Sequence, residues 1–203
     1  MPAKNDDLHG NVPDNADVAL LLIDVINDLE FDGGEALLRH ALPMAEQIAA
    51  LKRRATQAGI PAVYVNDNFG RWQSDFAKLL AHCLTDGVRG QPLAERLRPE
   101  PDDYFVLKPK HSGFYSTTLD ILLRYLKVTT VILTGLTGDI CVLFTANDAY
   151  MRDLHLVVPA DCVASLHPEE NRHALAHMQR VLKADIRPSV ALDFNALQRH
   201  ARW

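Results

Sequence analysis

Continuous apolar runs recur along the chain, separated by longer stretches in which apolar residues are spaced among polar ones. Unbroken apolar runs of roughly four to eight residues are typical of strands buried on both faces of a parallel sheet. We predict strands at residues 18–24, 62–66, 104–108, 130–135 and 154–159, and a short sixth strand near 186–191.

Apolar residues at helical spacing fill the stretches between these runs. The clearest case is the helix predicted from Leu37 to Ala58, which Gly59 would end and which Pro61 prevents from continuing. Because strands and helices alternate, we predict an α/β fold with a mostly parallel sheet. Further helices are predicted at 74–83, from Thr117 or Thr118 to about 127, at 139–152 and at 168–184.

The chain has the pattern of one domain with an N-terminal extension. Residues 1–17 are polar and acidic, and we expect them to form an arm. Residues 18–203 contain no internal repeat, low-complexity tract or linker, so a single domain is predicted. Residues 67–102 are mixed, with irregular chain expected after the short helix. A connection of this kind often carries substrate or subunit contacts.

Composition narrows the classes of partner. The 203-residue chain carries a formal net charge of −5, which argues against nucleic acid as the main partner. The N-terminus lacks the features of a signal peptide, and no apolar stretch reaches the roughly 18 residues of a membrane span. The three cysteines are widely spaced and form neither a disulfide framework nor a C-x-x-C pair. We therefore expect a cytoplasmic protein that binds neither nucleic acid nor membrane.

Charged residues stand at the ends of predicted strands, where open α/β sheets carry their sites. Asp24 follows an apolar run, and a buried carboxylate needs a cation or several hydrogen-bond donors. It could instead tie down the loop that follows, through backbone N–H groups. Lys108 ends the third strand, but Lys110 lies two residues further on the same face of an extended chain. Spacing alone does not choose between these two lysines.

Cys141 is the third candidate at this edge of the sheet. If a helix begins near Gly138 or Asp139, its first-turn N–H groups and dipole favour a thiolate at Cys141 and could receive an oxyanion. The alternative is a small buried apolar residue, as we expect for Cys83 and Cys162. Together, the thiol would supply a nucleophile, the carboxylate a general base and the lysine a cation that stabilises charge.

Four segments, in this order, resemble the isochorismatase-like cysteine hydrolases. This family includes nicotinamidases, N-carbamoylsarcosine amidohydrolase, ureidoacrylate amidohydrolases and isochorismatases proper. The likeness runs from about Val18 to Val190 and places Asp24, Lys108 and Cys141 in the catalytic positions, with Lys108 preferred over Lys110. The segments are LLLIDVINDL, LKPKHSGFYSTTLDILLR, VILTGLTGDICVLFTANDAY and DCVASLHPEENRHALAHM.

The resemblance implies a three-layer α/β/α sandwich of Rossmann type with a six-stranded, mostly parallel sheet, and a homo-oligomer of two or four chains. It implies a hydrolase that cleaves an amide or ureido bond of a small molecule through a thioester, with Asp24 as base and Lys108 balancing charge. It also implies a cis peptide between Leu136 and Thr137, with the Thr137 and Cys141 N–H groups forming an oxyanion hole. The expected substrate contacts are Asn27, Asp67, Trp72 and Phe114.

The metal-binding pattern of the nicotinamidases is incomplete in this chain. They carry an Asp-x-His segment and a further histidine after the second strand, whereas VNDNFGRW has Asp67 but Phe69 where the histidine is expected. We therefore predict no metal and no cofactor. His173 and His177 would share a helix face, but without a third ligand a polar helix face is the better interpretation. His111 and His167, in predicted loops, could enter the pocket or could be ordinary exposed loop histidines.

Two other functions stay open at this point. Isochorismatases proper can cleave a vinyl ether without the cysteine, so Cys141 favours amide or ureido hydrolysis but leaves the ether reaction possible. The second alternative is a binding or assembly protein that uses the same fold without turnover. The sequence does not identify the substrate.

Overall fold

The computed structural model describes residues 16–69 and 75–200, and its strands form one six-stranded sheet with parallel pairings. The order is β3-β2-β1-β4-β5, and β6 pairs with the carboxyl end of β4. The predicted α/β fold with a six-stranded parallel sheet is confirmed. The strands are β1 (Val18–Ile23), β2 (Ala62–Asp67), β3 (Tyr104–Lys108), β4 (Thr130–Leu136), β5 (His155–Val157) and β6 (Val163–Ala164).

Helices connect the successive strands from β1 to β5, whereas only a 3₁₀ turn lies between β5 and β6. A π-helical turn, Gly138–Val142, leads from β4 directly into a helix, and 3₁₀ turns occur at Ala160–Cys162 and Ser189–Ala191. The helices of the described residues are α1 (Gly34–Gln57), α2 (Phe76–Thr85), α3 (Gln91–Arg96), α4 (Leu119–Tyr125), α5 (Leu143–Tyr150), α6 (Pro168–Leu182) and α7 (Phe194–His200).

The sheet has an apolar cluster on each face, as a three-layer fold requires. Successive side chains of a strand point to opposite faces. Leu22 of β1 accordingly lies in the cluster that includes Ile48 of α1, and Leu21 lies in the cluster that includes Met178 of α6. All four side chains are fully buried. Each such burial contributes about 1.5–3 kcal/mol to stability, which fixes the sheet between its helical layers.

The strand predicted near residues 186–191 is wrong. Pro188 has no N–H to donate to a neighbouring strand, and the Ser189 N–H donates to Asp161 Oδ1 at 2.7 Å. Residues Ser189–Ala191 form a 3₁₀ turn as a result. The sixth strand is β6, which has only two residues and so gives no apolar run in the sequence.

The segment predicted to be irregular before β3 contains helix α3. Pro92 lies in its first turn, where the fixed φ of proline suits a helix, and Leu93 is buried. Gly90, just before α3, packs so closely on the loop after β1 that an added Cβ would overlap the Asn27 carbonyl oxygen. Helix α3 therefore supports the loop that follows β1. Helix α7 was also absent from the predictions.

The ends of the chain are only partly described. Most of the predicted arm lies outside the described residues, and at its end the Ala16 N–H donates to the Leu126 carbonyl at 2.7 Å. Within the described ranges, no helix combines the length and the apolar character needed to cross a bilayer.

Candidate active site

The ends of β1 and β3 and the turn after β4 bring three of the predicted residues into contact. Asp24 follows β1, Lys108 is the last residue of β3, and Cys141 lies in the π-helical turn. Lys108 Nζ lies 2.8 Å from Asp24 Oδ2 and donates to Cys141 Sγ at 3.5 Å. Lys110 is exposed. The structure thus brings Asp24, Cys141 and Lys108, and not Lys110, into contact.

Asp24 and Lys108 form what we call the floor of the site. Their exposed fractions are 6% and 0%, whereas Cys141 is partly exposed above them. Buried charges persist only when they are paired and hydrogen-bonded. Lys108 meets this condition twice, because Asp67 Oδ2 also lies 3.6 Å from its Nζ atom. The Lys108 ammonium of the floor therefore lies between two carboxylates, that of Asp24 and that of Asp67.

Asp24 is oriented by strand β2. Its N–H donates to the Val65 carbonyl at 2.9 Å, and its Oδ1 accepts from the Asp67 N–H at 2.7 Å. Its φ of 50° is in the left-handed region, which aspartate tolerates better than most residues. The alternative that Asp24 ties down its own following loop does not describe these bonds, because they reach across the sheet to β2 and to Lys108.

Burial sets the protonation of the three groups. Burial raises the pKa of Asp24 above its ordinary value, and the Lys108 ammonium opposes that rise. Burial alone would lower the pKa of Lys108, but the neighbouring Asp24, Cys141 and Asp67 together raise it. The pKa of the Cys141 thiol rises to about 12, because burial and the Asp24 charge outweigh the Lys108 ammonium.

Cys141 is therefore a thiol near neutral pH when no ligand is bound. Burial and the Asp24 charge hold the pKa of the thiol high although Cys141 lies in the first turn. That the N–H groups of this turn favour a thiolate stays a prediction. Asp24 accepts a hydrogen bond from the thiol. This arrangement suits transfer of the thiol proton to the carboxylate, with Lys108 stabilising the sulfur anion that forms.

The π-helical turn and Thr137, the residue just before it, carry the two predicted oxyanion donors. The Leu136–Thr137 peptide at its start is cis. The Thr137 carbonyl accepts from the Ile140 N–H at 3.2 Å and from the Val142 N–H at 3.0 Å, the second bond having the i to i+5 spacing of a π-helix. The Thr137 and Cys141 N–H groups belong to the same short segment. Their function as an oxyanion hole stays a prediction.

Two glycines allow this turn to approach its neighbours. Gly135 has a φ of +111°, and an added Cβ would overlap the Ile23 carbonyl oxygen. At Gly138 an added Cβ would overlap Asn171 Oδ1 of α6. Both positions therefore require glycine if the turn is to keep its place between β1 and α6.

His111 and Phe144 form what we call the mouth of the site. His111 Nδ1 lies 3.9 Å from Cys141 Sγ, and its ring is tilted by 56° against the Phe144 ring at a centroid distance of 5.4 Å. Both side chains are exposed. Sequence reasoning named His111 only as a loop histidine that could enter the pocket. The sequence signal for its position is its place three residues after Lys108.

The predicted substrate contacts fall in different surroundings. Asn27 is partly buried in the loop after β1, and its Oδ1 accepts from the Leu29 N–H at 2.9 Å. Phe114 is 4% exposed and packs beneath Arg152, whose guanidinium lies 4.6 Å from the ring centroid, which favours a packing role. Trp72 lies outside the described residues. Asp67, at 35% side-chain exposure, reaches both Lys108 and the surface.

The residues at the nicotinamidase metal position do not fit a metal ion. Asp67 Oδ1 accepts from the Phe69 N–H at 2.6 Å, Asp67 Oδ2 faces Lys108, and the Phe69 side chain offers no ligand atom. Within the described residues no group of three or more His, Cys, Asp or Glu could hold a metal. On α6, His173 Nε2 lies 3.2 Å from Glu169 Oε1, an exposed pair. The metal-free site stays a prediction.

The other two cysteines are enclosed in the packing of the fold. Cys83 and Cys162 have exposed fractions of 0%, and burial raises the pKa of each thiol to about 12. The charges that act on these thiols are those of carboxylates, Asp28 and Asp86 for Cys83 and Asp161 for Cys162, whereas the Lys108 ammonium acts on Cys141.

The chain is similar to known proteins along most of its length. The family model of the isochorismatase domain matches residues 18–185. The isochorismatase family protein YaaI of Bacillus subtilis (strain 168) is 45% identical over 171 residues, covering 84% of this chain and 93% of YaaI. The ureidoacrylate amidohydrolase RutB of Methylobacterium radiotolerans is 31% identical over 193 residues, covering 82% of this chain and 74% of that protein.

The fold is also similar to that of solved structures. The N-carbamoylsarcosine amidase of Thermoplasma acidophilum superposes with a TM-score of 0.67 at 28% identity, covering 88% of this chain and 99% of that chain.

Proposed function

The chain belongs to the isochorismatase family, and we propose that it is a cysteine-dependent hydrolase that cleaves an amide or ureido carbon–nitrogen bond of a small molecule. The contact of Lys108 Nζ with both Asp24 Oδ2, at 2.8 Å, and Cys141 Sγ, at 3.5 Å, carries this proposal. Relatives named ureidoacrylate amidohydrolase and N-carbamoylsarcosine amidase support an amide or ureido substrate.

Attack by sulfur requires removal of the thiol proton. Asp24 accepts a hydrogen bond from Cys141 and has a raised pKa, so it is both placed and tuned to take this proton as the sulfur approaches the substrate carbonyl. Lys108 stays protonated, because its neighbours raise its pKa, and its ammonium stabilises the developing sulfur anion. Asp24, as the base, and Lys108, as the stabilising cation, thus both act on the Cys141 sulfur.

The carbonyl oxygen gains negative charge during attack. The N–H groups of Thr137 and Cys141, carried on one turn, are proposed to hold this oxyanion. Loss of one donor of this kind costs about 3 kcal/mol in the barrier.

Collapse of the tetrahedral species breaks the carbon–nitrogen bond. Asp24 returns its proton to the leaving nitrogen, and the acyl or carbamoyl group stays on Cys141 Sγ as a thioester-type intermediate. Asp24, again a carboxylate, then takes a proton from water as the water attacks that intermediate. Sulfur leaves and recovers the proton from Asp24, which restores the starting state.

The two alternatives find less support in the geometry. A vinyl-ether hydrolase that works without the cysteine would not need a thiol bonded to both Asp24 and Lys108. A binding or assembly protein would gain nothing from burying an ammonium between two carboxylates beneath a partly exposed thiol. A homo-oligomer of two or four chains, the single domain 18–203 and a cytoplasmic location stay predictions.

Ammonia release from small amides and ureido acids, with the wild-type protein and Cys141→Ala side by side, tests the proposal. Cys83→Ala is the matched control, because that thiol is fully buried and the charges that act on it are those of Asp28 and Asp86. We expect turnover of at least one compound by wild type and Cys83→Ala and none by Cys141→Ala. Turnover that survives in Cys141→Ala would contradict the cysteine mechanism.

A further inference from the structure

A groove between helices α1 and α6 lies apart from the floor and the mouth of the active site. Its volume is about 800 Å³, within the range of roughly 300–1,000 Å³ that is typical of small-molecule sites. Residues of both helices and of the segment around β6 line it. The lining residues do not include Asp24, Lys108, Cys141, His111 or Phe144. The groove is therefore a separate candidate site on the same chain.

The buried part of the groove is apolar. Met44, Val163 and Ala164 line it, and their exposed fractions are 3%, 4% and 6%. Ser165 Oγ, also in the lining, donates to Asn171 Oδ1 at 3.1 Å, and Asn171 Nδ2 donates to the Val163 carbonyl at 3.2 Å. Because these polar groups are bonded to one another, the buried part is held in one arrangement and offers a ligand mainly apolar surface.

The rim of the groove carries cationic side chains from both helices. Arg39 on α1 and Arg172 on α6 line it, and both side chains are exposed. Among residues 16–69 and 75–200, none pairs with the Arg39 side chain. Arg172 pairs with Glu169, but both members of that pair are exposed, and such a pair contributes little in water. Both guanidinium groups can therefore bind an incoming anion.

The one carboxylate among the lining residues is already hydrogen-bonded. Asp161 Oδ1 accepts from the Ser189 N–H at 2.7 Å, and Asp161 Oδ2 accepts from the Ser189 hydroxyl at 2.8 Å. The two arginines of the lining outnumber this carboxylate, although the whole chain has a formal net charge of −5. A local reversal of the sign of charge favours binding of anions at the groove.

We propose that this groove is a second binding site, which takes a small amphipathic anion. A carboxylate or phosphate head group would be held by Arg39 and Arg172, because guanidinium groups bind the oxygens of both through paired hydrogen bonds. The apolar body of the ligand would lie on Met44 and Val163. This site does not depend on the reaction at Cys141, so it stands or falls separately from the proposed hydrolysis.

Calorimetry with three naphthalene probes tests this inference. 2-Naphthoate and 2-naphthyl phosphate carry the two head groups, and 2-naphthol is their uncharged counterpart at neutral pH. The wild-type chain is compared with a double variant, Arg39→Gln with Arg172→Gln. The matched control is Arg53→Gln with Arg180→Gln, because these arginines are also exposed, lie on the same two helices and do not line the groove.

We expect at least one of the two anions to bind wild type about tenfold more tightly than 2-naphthol, because only a charged head group forms charge-assisted hydrogen bonds. The double variant at Arg39 and Arg172 should lose this preference, and the control variant should keep it. Equal binding of the three probes, or a preference that survives the loss of both groove arginines, would overturn the inference. Binding of none, the result expected if a second copy of the chain covers the groove, would also overturn it.

Discussion

The floor and the mouth of the site differ in how far their side chains are already committed. Asp24 and Lys108 are buried and bonded to each other, to Asp67 and to Cys141. His111 and Phe144 are exposed, their rings contact each other, and His111 also contacts the thiol. Groups that must act identically on every substrate are fixed by the sheet, while groups that recognise one substrate stay open to it. The following predictions test that division.

Cys141→Ala should have the largest effect, because the thiol is the atom on which the floor acts. We expect kcat to fall by about 10⁴-fold or more, with the unfolding free energy nearly unchanged because Cys141 is partly exposed. Ammonia release and urea unfolding measure the two quantities. If Cys141→Ala keeps a tenth of the wild-type activity, Asp24 and Lys108 do not act through this thiol.

Lys108→Met should damage both activity and stability. Removing one partner of a buried ion pair costs about 3–5 kcal/mol, because Asp24 is left without its cation. Lys52→Met is the matched control, since Lys52 Nζ pairs with Asp103 at 2.5 Å and their side chains are 9% and 10% exposed. Both variants should unfold at lower urea concentration, but only Lys108→Met should lose turnover. Full activity in Lys108→Met would remove the lysine from the mechanism.

Gly135→Ala tests how tightly the nucleophile turn is placed over the floor. The positive φ and the overlap with the Ile23 carbonyl predict a loss of about 2–4 kcal/mol of unfolding free energy. Gly59→Ala is the comparison, because its φ is +70° but an added Cβ has nothing within 4 Å. That variant should lose only about 1 kcal/mol. Equal losses would mean that the close approach at Gly135 is relieved without cost.

The coupling of Asp24 to the thiol predicts opposite effects on two rates. Asp24 raises the pKa of Cys141, so Asp24→Asn should lower that pKa and speed iodoacetamide alkylation by about tenfold near pH 8, while turnover is lost. In wild type the thiolate forms only as pH rises toward about 12, so alkylation should keep accelerating above pH 9. A wild-type plateau near neutral pH would contradict the thiol state described here.

Of these variants, Phe144→Ala should have the smallest effect on activity and on stability. Because the ring is 52% exposed, the unfolding free energy should change by no more than about 0.5 kcal/mol. KM should rise severalfold with little change in kcat, since the ring contacts His111 beside the thiol, whereas the proposed base and lysine lie in the floor. A fall in kcat as large as that of Lys108→Met would make the mouth part of the chemistry.

The residues of the floor could be predicted from the sequence better than those of the mouth. Asp24 and Lys108 stand out because each ends an apolar run, and a charge in that position must be compensated in the folded state. The resemblance then chose Lys108 over Lys110 and gave the role of nucleophile to Cys141, which was already a candidate from its place after the fourth strand. The α/β fold followed from the alternation of strands and helices, which depends on local pattern.

The failures of prediction have physical causes outside the local pattern. The raised pKa of Cys141 comes from burial and from Asp24, a residue more than a hundred positions away in sequence, so no local pattern could show it. The contact of His111 with the thiol depends on bonds from its loop to α5. Strand β6 is two residues long and leaves no periodic signal.

The central claim is that Cys141 carries the acyl or carbamoyl group during turnover. Acid quenching during the first turnover, followed by mass spectrometry of the Cys141 peptide, measures this group directly. The account predicts an added mass equal to the substrate fragment left after loss of the amine, present on Cys141 and absent from Cys83 and Cys162. Steady turnover with no adduct on Cys141, continuing undiminished in Cys141→Ala, would contradict it.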